Sequence, residues 1–213
     1  FSYLFFVHGT HLEKKYGYTI REIKNQKIKI TAKQKTLSSI DNEKGMSETL
    51  YKTQNFANKV FDKFKFDAVI ILGDRIERLP IISNCIAYRK YIFHLHGGEL
   101  TYGSFDDQVR HLITKAAHLH FPICENYKKN ILKLSEEKFR ICNSGSLAVE
   151  NILNYVKKNN LKERKYVILT YHPETVFGFF KWENNLKIIC EVLHKFKLNI
   201  IVTAPGYEKG SSK

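Results

Sequence analysis

The nine residues from Phe66 to Asp74 read FDAVIILGD, a short apolar run that ends in a glycine and a carboxylate. A continuous apolar run of this length is typical of a strand that is buried on both faces of a parallel sheet. Parallel strands cannot be joined by tight turns, so their connections are crossovers that usually contain a helix. The run therefore predicts an α/β fold if helical segments separate it from its neighbours.

Helical segments do alternate with strand-like runs along the chain. The other predicted strands of the first part are YLFFVHG, KIKITAK, YIFHLH, LHFPIC and FRICNSG. The segments of helical period between them are MSETLYKTQNFANKVFDKFK, IERLPIISNCIAYRK, FDDQVRHLITKAAH, NYKKNILKL and AVENILNYVKK. Repeated βα units of this kind predict a doubly wound, Rossmann-like parallel sheet.

A polar, charged stretch, KKNNLKERK at residues 157–165, interrupts the repeat. A further strand, helix and strand follow it, in YVILT, WENNLKIICEVLHKF and LNIIVT. We predict a first lobe over residues 1–157 and the beginning of a second lobe over residues 158–213. The sequence starts at Phe1 without a methionine, and we expect the first lobe to lack its opening strand and the second to be truncated.

Composition narrows the class of protein. No apolar run approaches the ~20 residues that a membrane-spanning helix needs, and no membrane partner is predicted. The net charge is +14, but the 35 basic residues are scattered singly or in pairs, so no nucleic-acid surface is predicted. The cysteines form no CxxC pair, which favours reduced thiols in a cytoplasmic protein; they are Cys85, Cys124, Cys142 and Cys190.

Polar clusters follow three of the predicted strands. They are Gly73–Arg75, His96–Glu99 and Tyr171–Thr175. Ligands of open α/β sheets bind beyond the carboxyl ends of the strands. Three clusters at such positions predict a ligand site at this edge.

The segment between residues 94 and 121 contains five of the nine histidines. Helical spacing places one polar stripe opposite one apolar stripe. The polar stripe is Asp107, Arg110, His111, Thr114, Lys115 and His118, and the apolar stripe is Val109, Leu112, Ile113, Ala116 and Ala117. A surface helix capped by Ser104 or Asp106 fits the same pattern.

Two His-x-His pairs raise the alternative of a metal site, because both imidazoles of such a pair can lie on one strand face. The pairs are His94 with His96 and His118 with His120. No third or fourth ligand can be assigned from the sequence. We predict no metal, and structural roles for His94, His118 and His120.

Four segments together resemble the hydrolysing UDP-N-acetylglucosamine 2-epimerases of sialic-acid and related nonulosonic-acid biosynthesis. They are HGTHLEKKYGYTIREI, LGDRIE, HLHGGELTYGSFDDQVRHLITKAAHLHF and LTYHPET. The resemblance runs from about residue 7 to the C-terminus. It implies two Rossmann-like lobes of glycosyltransferase-B type with a nucleotide-sugar substrate between them, no cofactor, and a homo-oligomeric full-length protein.

The implied reaction is elimination of UDP to a 2-acetamidoglucal, followed by addition of water to give N-acetylmannosamine or its analogue. Matching motifs assign proton transfer to Asp74 and Asp106 and a catalytic role to His172. Glu99 is a further carboxylate suited to this chemistry. The expected substrate-binding residues are Arg75, His96, Asp107, Arg110 and His111.

One departure concerns His96, which stands where the non-hydrolysing relatives carry a carboxylate. The resemblance leaves open whether His96 or Glu99 takes that role. A non-catalytic sugar-nucleotide-binding protein and a metal-dependent hydrolase are the alternative functions. We expect the 213-residue chain to be inactive by itself.

Overall fold

The computed structural model describes residues 1–40, 42–159, 166–171, 182–196 and 199–203. The chain forms two compact units. The first contains Phe1–Tyr102 and Asp106–Gly145, and the second contains Gly103–Phe105 and Ser146–Lys213. The lobe boundary expected between residues 157 and 158 stays a prediction.

The first unit contains two parallel sheets. Strand β1 (Phe6–His8) pairs with β2 (Ala32–Gln34), and a separate sheet has the order β3–β4–β5. The strands of this second sheet are β3 (Ala68–Leu72), β4 (Tyr91–Leu95) and β5 (Leu119–Phe121). The helices of the first unit are α1 (Ile20–Asn25), α2 (Glu43–Lys63), α3 (Leu79–Ala87), α4 (Asp106–Ala116) and α5 (Glu125–Lys133). Parallel pairing with intervening helices confirms the predicted α/β class.

The second unit contains a parallel pair of strands among its described residues. Helix α6 (Leu147–Asn159) precedes β6 (Tyr166–Leu169), and helix α7 (Trp182–Lys195) precedes β7 (Asn199–Val202). Strands β6 and β7 pair in parallel. Helix α7 and strands β6 and β7 agree with the segments predicted after residue 157, and α6 agrees with the helical segment AVENILNYVKK, which was predicted at the end of the first lobe. None of the helices in the described ranges is long and apolar enough to cross a membrane.

Local sequence accounts for two helix starts in the first unit. The side chain of Asn42 accepts a hydrogen bond from the backbone N–H of Gly45 at 3.1 Å, which caps α2. Pro80 lies in the first turn of α3, where a missing N–H leaves no hydrogen bond unmade. The polar cluster after β3 is therefore followed by a helix with a well-defined start.

Strand β3 is covered on one face only within the described residues. Ile71 is 4% exposed, whereas Ile70 is 67% and Leu72 is 54% exposed. The prediction that this run is buried on both faces is wrong for the chain as described. An apolar run shows that a strand can be buried on both faces, but the covering layers come from elsewhere in the fold.

The predicted strand FRICNSG is reduced to a single bridge. Lys138–Arg140 form a 3-10 turn, and only Ile141 pairs with β5, in an isolated parallel bridge to His120. Gly145 has a φ of +75°, which belongs to a turn. The prediction is wrong because turns on both sides leave only the middle of this segment extended.

A buried carboxylate ties α4 to β5. Glu136 accepts hydrogen bonds from Lys115 Nζ at 2.6 Å and from His120 Nε2 at 3.2 Å, and it also pairs with Arg140. Burial raises the pKa of Glu136, but the hydrogen bond from Lys115 and the neighbouring positive charges outweigh burial and lower it. His120 therefore has a structural partner, as predicted for it.

Candidate active site

The carboxyl ends of β3 and β4 lie side by side. Leu72 pairs with Leu95 in parallel register, so the residues that follow both strands emerge at the same edge of the sheet. Asp74 follows β3, and the cluster His96–Glu99 follows β4. The structure thus brings two of the polar clusters predicted from the sequence to one place.

Arg110 of α4 contacts both of these loops. Its guanidinium pairs with the carboxylates of Asp74 and Asp107. It also donates to the backbone carbonyl of Glu99 at 2.7 Å and to Thr101 Oγ1 at 3.1 Å. A planar group with five donors suits such a set of oxygens. One side chain therefore fixes both loops relative to the helix.

The burial of Arg110 explains a difference from the predicted polar stripe of α4. Arg110 is 1% exposed and Thr114 is 0% exposed, whereas Leu112 of the predicted apolar stripe is 57% exposed. Arg110 is buried because it finds carboxylates inside the protein, and buried charges require such partners. The interpretation of α4 as an ordinary surface helix is wrong.

Asp107 has a second contact that fixes the loop after β4. Its Oδ1 accepts a hydrogen bond from the backbone N–H of Thr101 at 2.8 Å, besides the one from Arg110. Asp74 and Asp107 keep 25% and 23% of their side-chain surface exposed. Both carboxylates are therefore held in place and remain accessible to a ligand.

His96 and Glu99 form a pair at the end of β4. Nδ1 of His96 lies 3.0 Å from Oε1 of Glu99, and both side chains are 27% exposed. An ionised carboxylate can only accept a hydrogen bond, so Nδ1 carries the hydrogen. The backbone φ of His96 is +63°, a left-handed conformation that is uncommon outside glycine.

The Gly97–Gly98 pair holds this turn close to its neighbours. A Cβ on Gly98 would lie 2.2 Å from the carbonyl oxygen of Tyr127, and φ at Gly98 is +83°. A Cβ on Gly97 would lie 3.0 Å from Nδ1 of His94. Gly98 is required because a side chain there would meet the Tyr127 backbone, whereas a Cβ at Gly97 would need the His94 side chain to shift by only a few tenths of an ångström.

His94 is a buried histidine that connects three parts of the site. Its Nε2 donates to the carbonyl oxygen of Gly73 at 3.0 Å, and its Nδ1 accepts from Thr114 Oγ1 at 3.3 Å. Burial lowers the pKa of His94 to about 4. A neutral His94 therefore fixes the residue that precedes Asp74 against β4 and α4.

A second polar group at the end of β1 was not assigned from the sequence. His8 is buried, with Nε2 accepting from Arg78 at 3.2 Å, and burial lowers its pKa to about 4. Arg75 donates to the buried Glu77 at 2.8 Å. Burial by itself raises the pKa of Glu77, but the charge and the hydrogen bond of Arg75 have the larger effect, so the pKa of Glu77 is lowered. The signal available in the sequence was a histidine at the end of an apolar strand, His8, with a second histidine, His11, shortly after it.

The remaining predicted residues lie as follows. Asp106 is in the first turn of α4, next to Asp107. His111 is half-buried on α4 and makes no hydrogen bond or ion pair within the described residues. His172 lies outside the described residues, so its predicted role stays a prediction.

The two His-x-His pairs do not have the geometry of one strand face. His96 lies beyond the end of β4 and His118 lies before β5. His118 instead accepts a hydrogen bond from the backbone N–H of Ile92 at 3.1 Å. Among the described residues, no three His, Cys, Asp or Glu side chains are grouped as a metal site.

The amino-acid sequence is similar to those of characterised proteins. A GDP/UDP-N,N'-diacetylbacillosamine 2-epimerase (hydrolyzing) of Campylobacter jejuni is 38% identical over 177 residues, which cover 79% of this chain and 46% of that protein. Polysialic acid biosynthesis protein P7 of Escherichia coli is 32% identical over 182 residues, covering 80% of this chain and 46% of that protein. The chain thus spans about half the length of the curated relatives that it matches.

A structural match and a family match point to the same group of proteins as these relatives. The crystal structure of Methanocaldococcus jannaschii UDP-GlcNAc 2-epimerase, in complex with UDP-GlcNAc and UDP, superimposes with a TM-score of 0.68 at 20% identity. That match covers 94% of this chain and 65% of the other, and it shows a common fold. The profile of the family described as UDP-N-acetylglucosamine 2-epimerase matches residues 1–212. The chain belongs to the UDP-N-acetylglucosamine 2-epimerase family.

Proposed function

We propose that the complete gene product is a hydrolysing 2-epimerase that acts on a UDP-linked 2-acetamido sugar. The reaction eliminates UDP to form a 2-acetamidoglucal and then adds water, which gives the free sugar with inverted configuration at C2. Membership of the family and the hydrolysing relative from Campylobacter jejuni support this proposal. The whole reaction requires neither a cofactor nor a metal.

The observation that carries the proposal is the arrangement of carboxylates around Arg110. Asp74 and Asp107 are held by one buried guanidinium at the same sheet edge as the His96–Glu99 pair. The C2 proton of the sugar becomes acidic only as the C1–O bond breaks and positive charge develops on the ring. Fixed carboxylates stabilise such charge, and a base within reach removes the proton.

The roles proposed for individual residues follow from position and chemistry. Asp74 and Asp106 are proposed to take part in proton transfer, and His172 is proposed as a further catalytic residue. Arg75 and His111 are the proposed contacts to the phosphates. Arg110 is too deeply buried to serve as a phosphate contact. We therefore assign it the role of positioning the two carboxylates.

Two donor sugars are the leading candidates. One is UDP-N-acetylglucosamine, for which the family is named, and the other is UDP-N,N'-diacetylbacillosamine, which is named for the Campylobacter jejuni relative. Both carry the acetamido group at C2 and the UDP leaving group at C1 that the reaction needs. A homo-oligomeric assembly and a lobe boundary between residues 157 and 158 complete the proposal.

The test is to incubate the complete gene product with each UDP sugar and to identify the products by NMR. We expect stoichiometric UDP together with the free sugar inverted at C2. Release of UDP with an unchanged configuration at C2 would show a simple hydrolase instead. Tight binding of the UDP sugar without any turnover would favour a non-catalytic binding protein.

A further inference from the structure

In the pair formed by His96 and Glu99, one ring nitrogen of His96 contacts Glu99 and the other, Nε2, has no role in the site as described so far. Within the described residues, Nε2 of His96 makes no hydrogen bond, while Nδ1 bonds to Glu99. The imidazole is 27% exposed at the edge of the sheet where Asp74 also lies. The lone pair of Nε2 is therefore available to a ligand.

From this geometry we propose that His96 is the base that removes the C2 proton and that Glu99 acts through it as a positioning residue. The inference rests on the proposed 2-epimerase function. The resemblance left open whether His96 or Glu99 takes this role; the inference assigns it to His96, which had been expected to bind the substrate, and not to Glu99, which had been expected to be catalytic. A carboxylate that holds Nδ1–H sets the tautomer in which Nε2 is the acceptor, as in other carboxylate-oriented histidine bases.

The backbone holds His96 where a rigid base is needed. Its left-handed conformation, with φ at +63°, is uncommon for a residue with a side chain. Such conformations persist where the surroundings enforce them, and they occur often at active sites. Gly98 packs so closely on the carbonyl of Tyr127 that no side chain would fit between them. The carbonyl of Glu99 accepts a hydrogen bond from Arg110 at 2.7 Å. The segment that follows His96 is therefore held in place at Gly98 and Glu99.

The proposed step balances as follows. The lone pair of His96 Nε2 takes the C2 proton, and the electrons of the C2–H bond form the C1=C2 double bond. The C1–O bond breaks, and its electrons leave with the phosphate oxygen of UDP. The imidazolium is stabilised by the Glu99 carboxylate. Water then adds its oxygen to C1 while a different group delivers a proton to the other face of C2. The proton that this water loses restores the proton donor, and the imidazolium releases its proton to solvent.

The test uses a glycine variant that suits the backbone. His96→Gly removes the imidazole and is compatible with a positive φ, so the turn is expected to persist. In the complete gene product it should lower kcat by about 10²–10⁴-fold, and added imidazole should restore a large part of this loss. The matched control is Arg89→Gly at an exposed residue with φ of +52°, which should leave kcat unchanged and unaffected by imidazole.

A second variant tests whether Glu99 acts through His96. Glu99→Gln should lower kcat by about tenfold or more in the wild-type background and have little effect in the His96→Gly background. Equal effects in both backgrounds would show that Glu99 acts independently and would overturn the inference. So would turnover of His96→Gly within a few-fold of wild type, or a loss that imidazole does not restore.

A spectroscopic measurement gives an answer that does not depend on folding of the glycine variant. Nitrogen-15 NMR of the wild-type chain should show neutral His96 protonated at Nδ1, and Glu99→Gln should change the tautomer populations. Protonation at Nε2 in the wild type would contradict the proposal. If the wild-type protein epimerises neither UDP sugar, the proposed function itself fails, which is a separate result.

Discussion

Replacing Arg110 by methionine should destabilise the protein strongly. Methionine is unbranched and apolar, and it removes the pairs with Asp74 and Asp107 and the hydrogen bonds to Glu99 O and Thr101. Breaking a buried ion pair from one side costs about 3–5 kcal/mol, because the remaining charge is left uncompensated. The two carboxylates keep 25% and 23% of their surface in water. We therefore expect the free energy of unfolding to fall by about 3–4 kcal/mol, at the lower end of that range.

Urea unfolding followed by far-ultraviolet circular dichroism measures this change. Arg89→Met is the control at an exposed arginine and should lie within about 0.5 kcal/mol of wild type. Adding Asp74→Asn and Asp107→Asn to Arg110→Met should recover part of the loss, because the amides leave no charge uncompensated. A loss below about 1 kcal/mol in Arg110→Met, or no recovery in the triple variant, would refute the reasoning.

Three further changes test other parts of the site. Asp74→Asn in the complete gene product should lower turnover by about 10²–10⁴-fold, measured by UDP release, and a loss of only a few-fold would exclude it from proton transfer. His8 and His94 are held neutral with pKa values of about 4, against 6.5 in the unfolded chain. As pH falls from 6.5 to 4, the unfolded chain takes up protons on these histidines that the folded chain does not. Each histidine should therefore lower the free energy of unfolding by about 3 kcal/mol over that pH range, measured by urea titration at several pH values. A free energy of unfolding that does not change with pH would contradict this. Gly98→Ala should lower the free energy of unfolding clearly more than Gly73→Ala in the same assay. Both glycines have a positive φ, but only at Gly98 would the added Cβ lie 2.2 Å from a carbonyl oxygen. Equal losses of stability would show that the close contact is unimportant.

The meeting of Asp74 with the His96–Glu99 cluster was predictable from the sequence. Both follow apolar runs, and the carboxyl ends of parallel strands emerge at one edge. Helical period also identified Val109 and Ile113 as buried residues of α4. These inferences hold because they depend on local periodicity and on a general property of parallel sheets.

The burial of Arg110 was not predictable in the same way. Helical spacing places it in a polar stripe, and its partner Asp74 is 36 residues away in the chain. The contact between His8 and Arg78 spans 70 residues and likewise leaves no local signal. The left-handed conformation of His96 leads into Gly98, which packs against Tyr127, a residue that is not its neighbour in sequence. Tertiary contacts of this kind decide which polar residues face the interior.

Transfer of solvent deuterium to the sugar tests the proposed reaction most directly. The complete gene product is incubated with the UDP sugar in D2O, and the free sugar is examined by proton NMR and mass spectrometry. Elimination followed by addition of water predicts one deuteron at C2 in every product molecule, with inverted configuration there. A product that keeps its original C2 proton would contradict the account.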